Sequence, residues 1–259
     1  NPPELVMENE VEIGKDGKVK LEIDTSFAKE LHGDIDHRYE IIAEVVDESR
    51  RTVTGKGNVI AARKPFKVYV WVDRGYYRTG DVLHANFSAF TPDNKPVQGK
   101  GKLKLLRITY GRDGKPVERC LQKWDLDTNE EGKAGIQMKA SRGGQYRISY
   151  ELTKGKNTIE GGYIFCVIGR DSDTSGFRFN DIELINDRRE YKPGDTVKLL
   201  INTNRAGSTV VLFLRPVNGI YLKPKIIRMQ GKSVIEEIPL LRKDMPHFFV
   251  DAFTISNGK

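Results

Sequence analysis

Two imidazoles and two carboxylates fall within six residues at His32-Gly33-Asp34-Ile35-Asp36-His37, a donor set of the kind that holds a divalent cation. No further ligand cluster lies near it in the sequence, so the stretch reads as a solvated polar loop. Asp125-Leu126-Asp127-Thr128-Asn129-Glu130 begins like a calcium loop, but Glu130 stands where such a loop needs Gly and Ile136 where it needs a bidentate Glu. A hairpin turn is the better reading. His84 and His247 sit in strand-like contexts with no nucleophile motif beside them, which argues against a hydrolytic triad. Gly99-Lys100-Gly101-Lys102 leads into a strand instead of opening a helix, so it reads as a turn and not a phosphate cradle. The expectation is a non-enzymatic chain with no catalytic, metal-binding or cofactor-binding set.

The remaining reactive groups are two cysteines, Cys120 and Cys166. The sequence leaves open whether they form a disulfide in an oxidising compartment or stay as two buried thiols, because it does not supply their separation. Lys and Arg number 43 against 36 Asp and Glu, a net charge of +7. The basic residues are scattered singly and in pairs among apolar ones, which suits solvated strand faces and not a nucleic-acid stripe. Tyr69, Trp71 and Tyr76 form an aromatic group that reads as packing against an adjoining domain, with a partner- or sugar-binding face as the alternative. The longest apolar run, Tyr163 to Ile168, is far short of the roughly 18 residues of a membrane span.

What positions these groups is a repeated turn. In Tyr191-Lys192-Pro193-Gly194-Asp195, Pro fixes φ at the first corner and Gly supplies a positive φ at the second, as a type II turn requires. Val197, Leu199 and Ile201 then alternate with Lys198 and Asn202, which predicts a strand with one face in a core and the other in solvent. The same signal stands earlier as Tyr77-Arg78-Thr79-Gly80-Asp81, 114 residues before (191 − 77). That offset is the size of one small β domain.

Taken in order, residues 5–23 carry three short apolar runs with Lys15-Asp16-Gly17-Lys18 as a hairpin turn, and are expected to be strands. A helical turn is expected over Thr25 to Leu31, then strands from Tyr39 and from Thr52 either side of a turn at 47–50. From Phe66 onward turn signals recur every 8 to 15 residues with no long amphipathic helix, the pattern of a β-sandwich. Gly17 and Gly132, and Tyr39 and Tyr146, open similar strands, so the first unit matches only the back half of the second. The fold class is therefore all-β, with tandem antiparallel β-sandwich domains over 1–63, 64–169 and 170–259. Arg63 to Pro65 and Gly169 to Gly176 are the linkers. The first and third domains read as cut short, and a longer parent protein is expected.

The order Tyr191-Lys192-Pro193-Gly194-Asp195, apolar strand Val210 to Leu214, Gly219-Ile220, Gly231 to Ile238, Pro246 and Phe249-Val250 resembles the macroglobulin-type β-sandwich domains of bacterial alpha-2-macroglobulin-like proteins. The Tyr77 to Asp81 unit, with Gly132 and Gly144-Gln145-Tyr146, is similar. The resemblance implies a fibronectin III-like or immunoglobulin-like fold and a part in an endopeptidase inhibitor of the periplasm, cell surface or secreted fraction. It implies two kinds of partner, target endopeptidases of the full-length parent and neighbouring macroglobulin domains of the same chain. It implies no nucleic acid and no cofactor. The family's Cys-Gly-Glu-Gln thioester is absent, since Cys120 is followed by Leu121-Gln122-Lys123 and Cys166 by Val167-Ile168-Gly169. By the same resemblance the third domain is the one that hosts a bait segment, expected beyond Lys259. An adhesion or carbohydrate-binding array of similar sandwiches, using the face of Phe66 to Val72, is the alternative.

Overall fold

The computed structural model describes residues 3–33, 35–46, 49–169, 174, 176–216 and 223–255. They divide into two units, Asn1–Pro65 and Phe66–Lys259.

In the first unit a seven-residue helix, α1 (Ser26–His32), precedes a hairpin of β1 (His37–Val46) and β2 (Thr52–Ala61). Asp24 Oδ1 accepts the Ser26 N–H at 2.9 Å at the start of the helix, while the Thr25 side chain makes no capping bond. β1 and β2 pair antiparallel from His37↔Ala61 to Val46↔Thr52. Asp47 and Glu48 of the expected turn lie outside the described residues. The turn at residues 14–18 forms, with the Gly17 N–H on Gly14 O at 2.8 Å, but no strand forms among the described residues of 3–36. Leu5, Val11, Ile13, Val19 and Leu21 all stay exposed, and short runs that neither pair nor bury a face are not stable as strands.

The second unit holds two β-sandwiches. The first is built from β3 (Lys67–Val72), β4 (Tyr77–Arg78), β5 (Val82–Phe90), β6 (Lys100–Tyr110), β7 (Pro116–Asp125), β8 (Lys133–Lys139), β9 (Gly144–Lys154) and β10 (Asn157–Ile168). One sheet runs β4-β10-β9-β6-β7 and the other β3-β5-β8. Alternating residues of both sheets interdigitate: Phe66, Leu83, Phe87, Leu103, Ile148, Tyr150, Leu152 and Val167 form one buried cluster. The outward basic residues pair with acids across strands, as where Arg147 forks onto Glu118 at 2.7 and 2.9 Å and reaches Glu160 at 2.8 Å.

The second sandwich comprises β11 (Ile182–Asn186), β12 (Thr196–Thr203), β13 (Thr209–Pro216), β14 (Lys225–Arg228), β15 (Ser233–Pro239) and β16 (Phe248–Ile255). Sheets β11-β12-β15 and β14-β13-β16 enclose Val197, Leu199, Ile201, Val210, Leu212 and Ile238. Gly219 and Ile220, part of the family-like pattern, lie outside the described residues. The two sandwiches share one plan, since β3-β5-β8 matches β11-β12-β15 and β9-β6-β7 matches β16-β13-β14. They differ at one edge. β9 is covered by β10, whereas among the described residues β16 has β13 alone as a neighbour. Accordingly Ile148, Tyr150 and Leu152 of β9 are fully buried, while Phe248, Val250 and Ala252 of β16 are half-buried.

Burial sets what truncation costs at each position. Ile148→Ala is expected to lose about 3 kcal/mol, because a fully buried side chain leaves a cavity. Val250→Ala should lose only about 1 kcal/mol. Urea unfolding followed by circular dichroism measures both, and the fluorescence of Trp71 and Trp124 reports the Ile148 sandwich separately. Equal losses at the two positions would contradict the edge assignment.

Candidate functional site

Each sandwich is pinned at one corner by the same contacts. In the first, the Tyr77 hydroxyl donates to Asp73 Oδ1 at 2.6 Å and accepts the Arg74 N–H at 3.2 Å. Asp73 Oδ1 also accepts the His84 N–H at 2.8 Å, which ties the corner to β5. Asp81 Oδ2 accepts the Arg78 N–H at 3.0 Å and Arg74 Nη1 at 3.3 Å. In the second sandwich Tyr191 donates to Asp187 Oδ1 at 2.8 Å and accepts the Arg188 N–H at 3.0 Å, and Asp187 Oδ1 accepts the Lys198 N–H at 2.8 Å. Asp195 Oδ2 accepts the Lys192 N–H at 3.0 Å and lies 3.5 Å from Arg188 Nη1.

The turns themselves close by Asp81 N–H to Arg78 O and Asp195 N–H to Lys192 O, both at 3.0 Å. Gly80 and Gly194 sit at φ of 100° and 95°, which a type II turn demands at its third residue, and Pro193 precedes the second of them. Each Gly N–H then reaches the facing strand end, Gly80 to Ala140 O at 2.8 Å and Gly194 to Leu240 O at 2.9 Å. Tyr77, Gly80, Asp81, Tyr191, Pro193, Gly194 and Asp195 are therefore brought together as two corners. Asp73, Arg74, Asp187 and Arg188, which complete them, open the same repeated stretch of sequence and also recur 114 residues apart (187 − 73), although nothing in the sequence shows that the tyrosine folds back onto the acid.

The electrostatics favour a charged Asp and a neutral Tyr. Burial works to raise the Asp73 carboxyl, but the hydrogen bonds from Tyr77 and His84 outweigh it and hold the group below its usual range. Burial chiefly pushes the Tyr191 hydroxyl up to about 12, and donation to Asp187 adds to that; Tyr77 moves up for the same reasons. A lowered Asp gives stability that is present above its unfolded value and lost as pH falls through the folded one. A raised Tyr gives stability that is present below pH 10.0 and lost as pH rises toward 12.

Between the sandwiches lies a buried joint. Tyr76, Cys166 and Leu200 are buried there, with Ile168, Ile185 and Ile235 packed on them. Ile185, Leu200 and Ile235 stand opposite one another across β11, β12 and β15. The face of β12 bearing Lys198 and Asn202, expected to meet solvent, instead meets the first sandwich, and Asn202 is fully buried with Ser233 Oγ donating to its Oδ1 at 2.8 Å. The continuous run Leu199-Leu200-Ile201 is the sequence trace of this burial on both faces. The Tyr76 hydroxyl donates to Lys198 O at 3.3 Å. Gln145 clamps the connecting segment by donating to Arg178 O at 2.7 Å and accepting the Arg178 N–H at 2.9 Å. From the other side Lys232 Nζ donates to Phe177 O at 2.7 Å.

The disulfide left open by the sequence is not formed: Cys120 is an exposed free thiol and Cys166 a buried one. Three strand spacings separate β10 from β7, about 14 Å, twice the reach of a disulfide. Burial, with the Glu183 charge adding to it, pushes the Cys166 thiol up to about 12. Of the aromatic group, Tyr76 packs in the joint and Tyr69 is half exposed. The remaining chemistry-bearing residues serve structure. His84 Nδ1 lies 3.3 Å from Asp73 Oδ2 in the corner. Asp127 Oδ1 accepts the Gly101 N–H at 3.0 Å, and Asn129 Oδ1 receives the Glu131 and Lys133 N–H groups in a hairpin turn. Gly99 to Lys102, expected as a turn, runs into the start of β6. His32 and His37 have ring centroids 6.2 Å apart, Asp36 Oδ1 caps the Arg63 N–H, and Asp34 lies outside the described residues. Among the described residues no group of three His, Cys, Asp or Glu is placed to hold a metal, and no helix is long and apolar enough to cross a membrane.

No family model and no curated protein matches the chain. Among solved structures it is similar to the native form of Escherichia coli alpha-2-macroglobulin, at 15% identity and a TM-score of 0.34, covering 84% of this chain and 17% of that one. It is similar to Salmonella alpha-2-macroglobulin reacted with methylamine, at 14% identity and a TM-score of 0.33, with the same coverages. A tetra-tandem repeat from the extending region of a large adhesion protein matches at 11% identity and a TM-score of 0.28, over 86% of this chain and 57% of that one. The chain thus spans about a sixth of the alpha-2-macroglobulins it matches.

Two outcomes test the corner and the joint. Tyr77→Phe and Tyr191→Phe should each cost about 1 kcal/mol in urea unfolding, since a partly exposed carboxylate loses one donor and regains water. Tyr191→Phe should also flatten the loss of stability between pH 10 and 12; an unchanged alkaline profile would remove Tyr191 from that role. At the joint, a Cβ on Gly75 would clash with Ile185 Cγ2 and sit 2.6 Å from Asn186 O. A thiol reagent should modify Cys120 alone in the native protein and both cysteines in Gly75→Ala, without denaturant. Rapid labelling of both in the native protein would show that the joint does not protect Cys166.

Proposed function

We propose that this chain is a non-enzymatic structural stretch of an alpha-2-macroglobulin-like endopeptidase inhibitor. On this reading 1–63 is the C-terminal part of one macroglobulin-like domain, 64–169 a complete one, and 170–259 the one that hosts the bait region. Its partners are the neighbouring domains of the same chain and, through the full-length parent, the endopeptidases that cleave the bait in the periplasm or outside the cell.

The observation that carries the reading is the corner repeated at constant spacing with the same bonds, joining two like sandwiches through a buried apolar contact. A wall of rigid units in fixed tandem suits a shell that rearranges by shifting domain contacts. The side chains that could do chemistry support it too, because His84, Asp73, Asp127 and Asn129 are spent on turns and strand ends. The adhesion or sugar-binding alternative keeps the half-exposed Tyr69 but loses Tyr76 to the joint.

Mixing the full-length parent with several endoproteases tests the proposal. The expected result is a cleavage-dependent change in the size of the parent and loss of the protease's activity on large substrates. No protease-dependent change in either quantity would overturn it, and sugar binding by the isolated chain would favour the alternative.

A further inference from the structure

A cavity of about 380 Å³ opens beside the joint, lined by Thr79, Arg107, Ser141, Arg142 and Phe177 among others. Four separate elements meet there. Thr79 belongs to the first corner, where its N–H donates to Ile168 O at 3.1 Å. Ser141 and Arg142 form the turn between β8 and β9, held by the Tyr146 hydroxyl donating to Arg142 O at 2.7 Å. Phe177 comes from the segment entering the second sandwich. Arg107 continues the inward row of Leu103 and Leu105 on β6 past the end of the core, opposite Tyr146 on β9.

Arg107 is the informative residue. Its Nε is shut off from solvent and has no hydrogen-bond partner among the protein groups. A buried guanidinium nitrogen without a partner is costly in a native fold, and each such case calls for a physical explanation. A second cation, Arg142, lines the same cavity, and no acid is among the described residues that line it. Two guanidinium groups with the Thr79 hydroxyl match the donor set that recognises a multivalent oxyanion, since a guanidinium forks onto paired oxygens and a hydroxyl donates to a third; the Ser141 hydroxyl donates instead to Lys139 O at 3.3 Å. The volume equals that of about a dozen waters, enough for phosphate or for a small polycarboxylate.

We propose that this cavity is an oxyanion-binding site in which Arg107 and Arg142 provide the charge and Thr79 a neutral donor. Because its walls come from the first sandwich and from Phe177 of the connecting segment, a bound anion braces the joint. The site is independent of the inhibitor reading and stands or falls by its own test.

Isothermal titration calorimetry on the 259-residue chain at fixed ionic strength, with inorganic phosphate, with citrate and with chloride as control, decides it. Saturable one-site binding of phosphate identifies a tetrahedral oxyanion, and of citrate a polycarboxylate; either supports the proposal. Binding should weaken at least tenfold in Arg107→Gln and severalfold in the exposed Arg142→Gln. Heats from both ligands no different from chloride would overturn the proposal, as would undiminished binding in a folded Arg107→Gln. If Arg107→Gln does not fold, undiminished binding in Arg142→Gln overturns it instead.

Discussion

One carboxylate oxygen in each corner does the organising. Asp73 Oδ1 takes both the Tyr77 hydroxyl and the His84 backbone N–H, so a turn and a strand eleven residues apart are fixed to one atom. A charged acceptor with two short donors is among the stronger arrangements available to a small β domain. It also solves a local problem, because the chain between β3 and β5 leaves the sheet and its backbone groups would otherwise need water. The tyrosine contributes twice: its hydroxyl satisfies the carboxylate, and the Tyr77 ring fills the core edge-on to Phe165 at 5.8 Å. The second corner keeps the hydrogen bonds, and its Tyr191 ring also packs against the core but is less buried.

The lower burial goes with the sheet edge. In the first sandwich β10 completes the five-stranded sheet and brings Ile159, Phe165 and Val167 to the core. In the second, the strand equivalent to β9 is β16, whose inward residues are half-buried and which has no such cover among the described residues. An edge strand of eight residues with alternating apolar side chains is a surface that proteins ordinarily pair or shield.

Much of this was legible in the sequence because turn chemistry is local. Gly80, Gly194 and Pro193 announce their own φ values, and the strands between successive turns follow from alternation. The corners' acids were harder to see, since Asp73 and Asp187 matter only once the hydroxyl four residues on folds back to them. The joint was invisible to alternation: Leu200 breaks the polar parity of β12, and only a neighbouring sandwich explains why. Residues 5–23 show the converse, where strand-like patterning finds no partner sheet and gives no strand. The oxyanion cavity had no linear trace, because Thr79, Arg107, Ser141 and Phe177 converge from four places.

The corner and the joint are mechanically one device. Tyr76 and Tyr77 are successive residues of an extended segment, so their side chains point to opposite sides. Tyr77 goes into the core of its own sandwich and Tyr76 goes out to Leu200 of the next. The Tyr76 hydroxyl reaches the carbonyl of Lys198, whose N–H is held by Asp187 of the second corner. Residue 198 therefore stands between the two Tyr–Asp corners, bonded through its carbonyl to the neighbour of Tyr77 and through its N–H to the partner of Tyr191. Because packed interfaces shift between discrete arrangements and do not bend continuously, such a chain of contacts passes on displacement as a step.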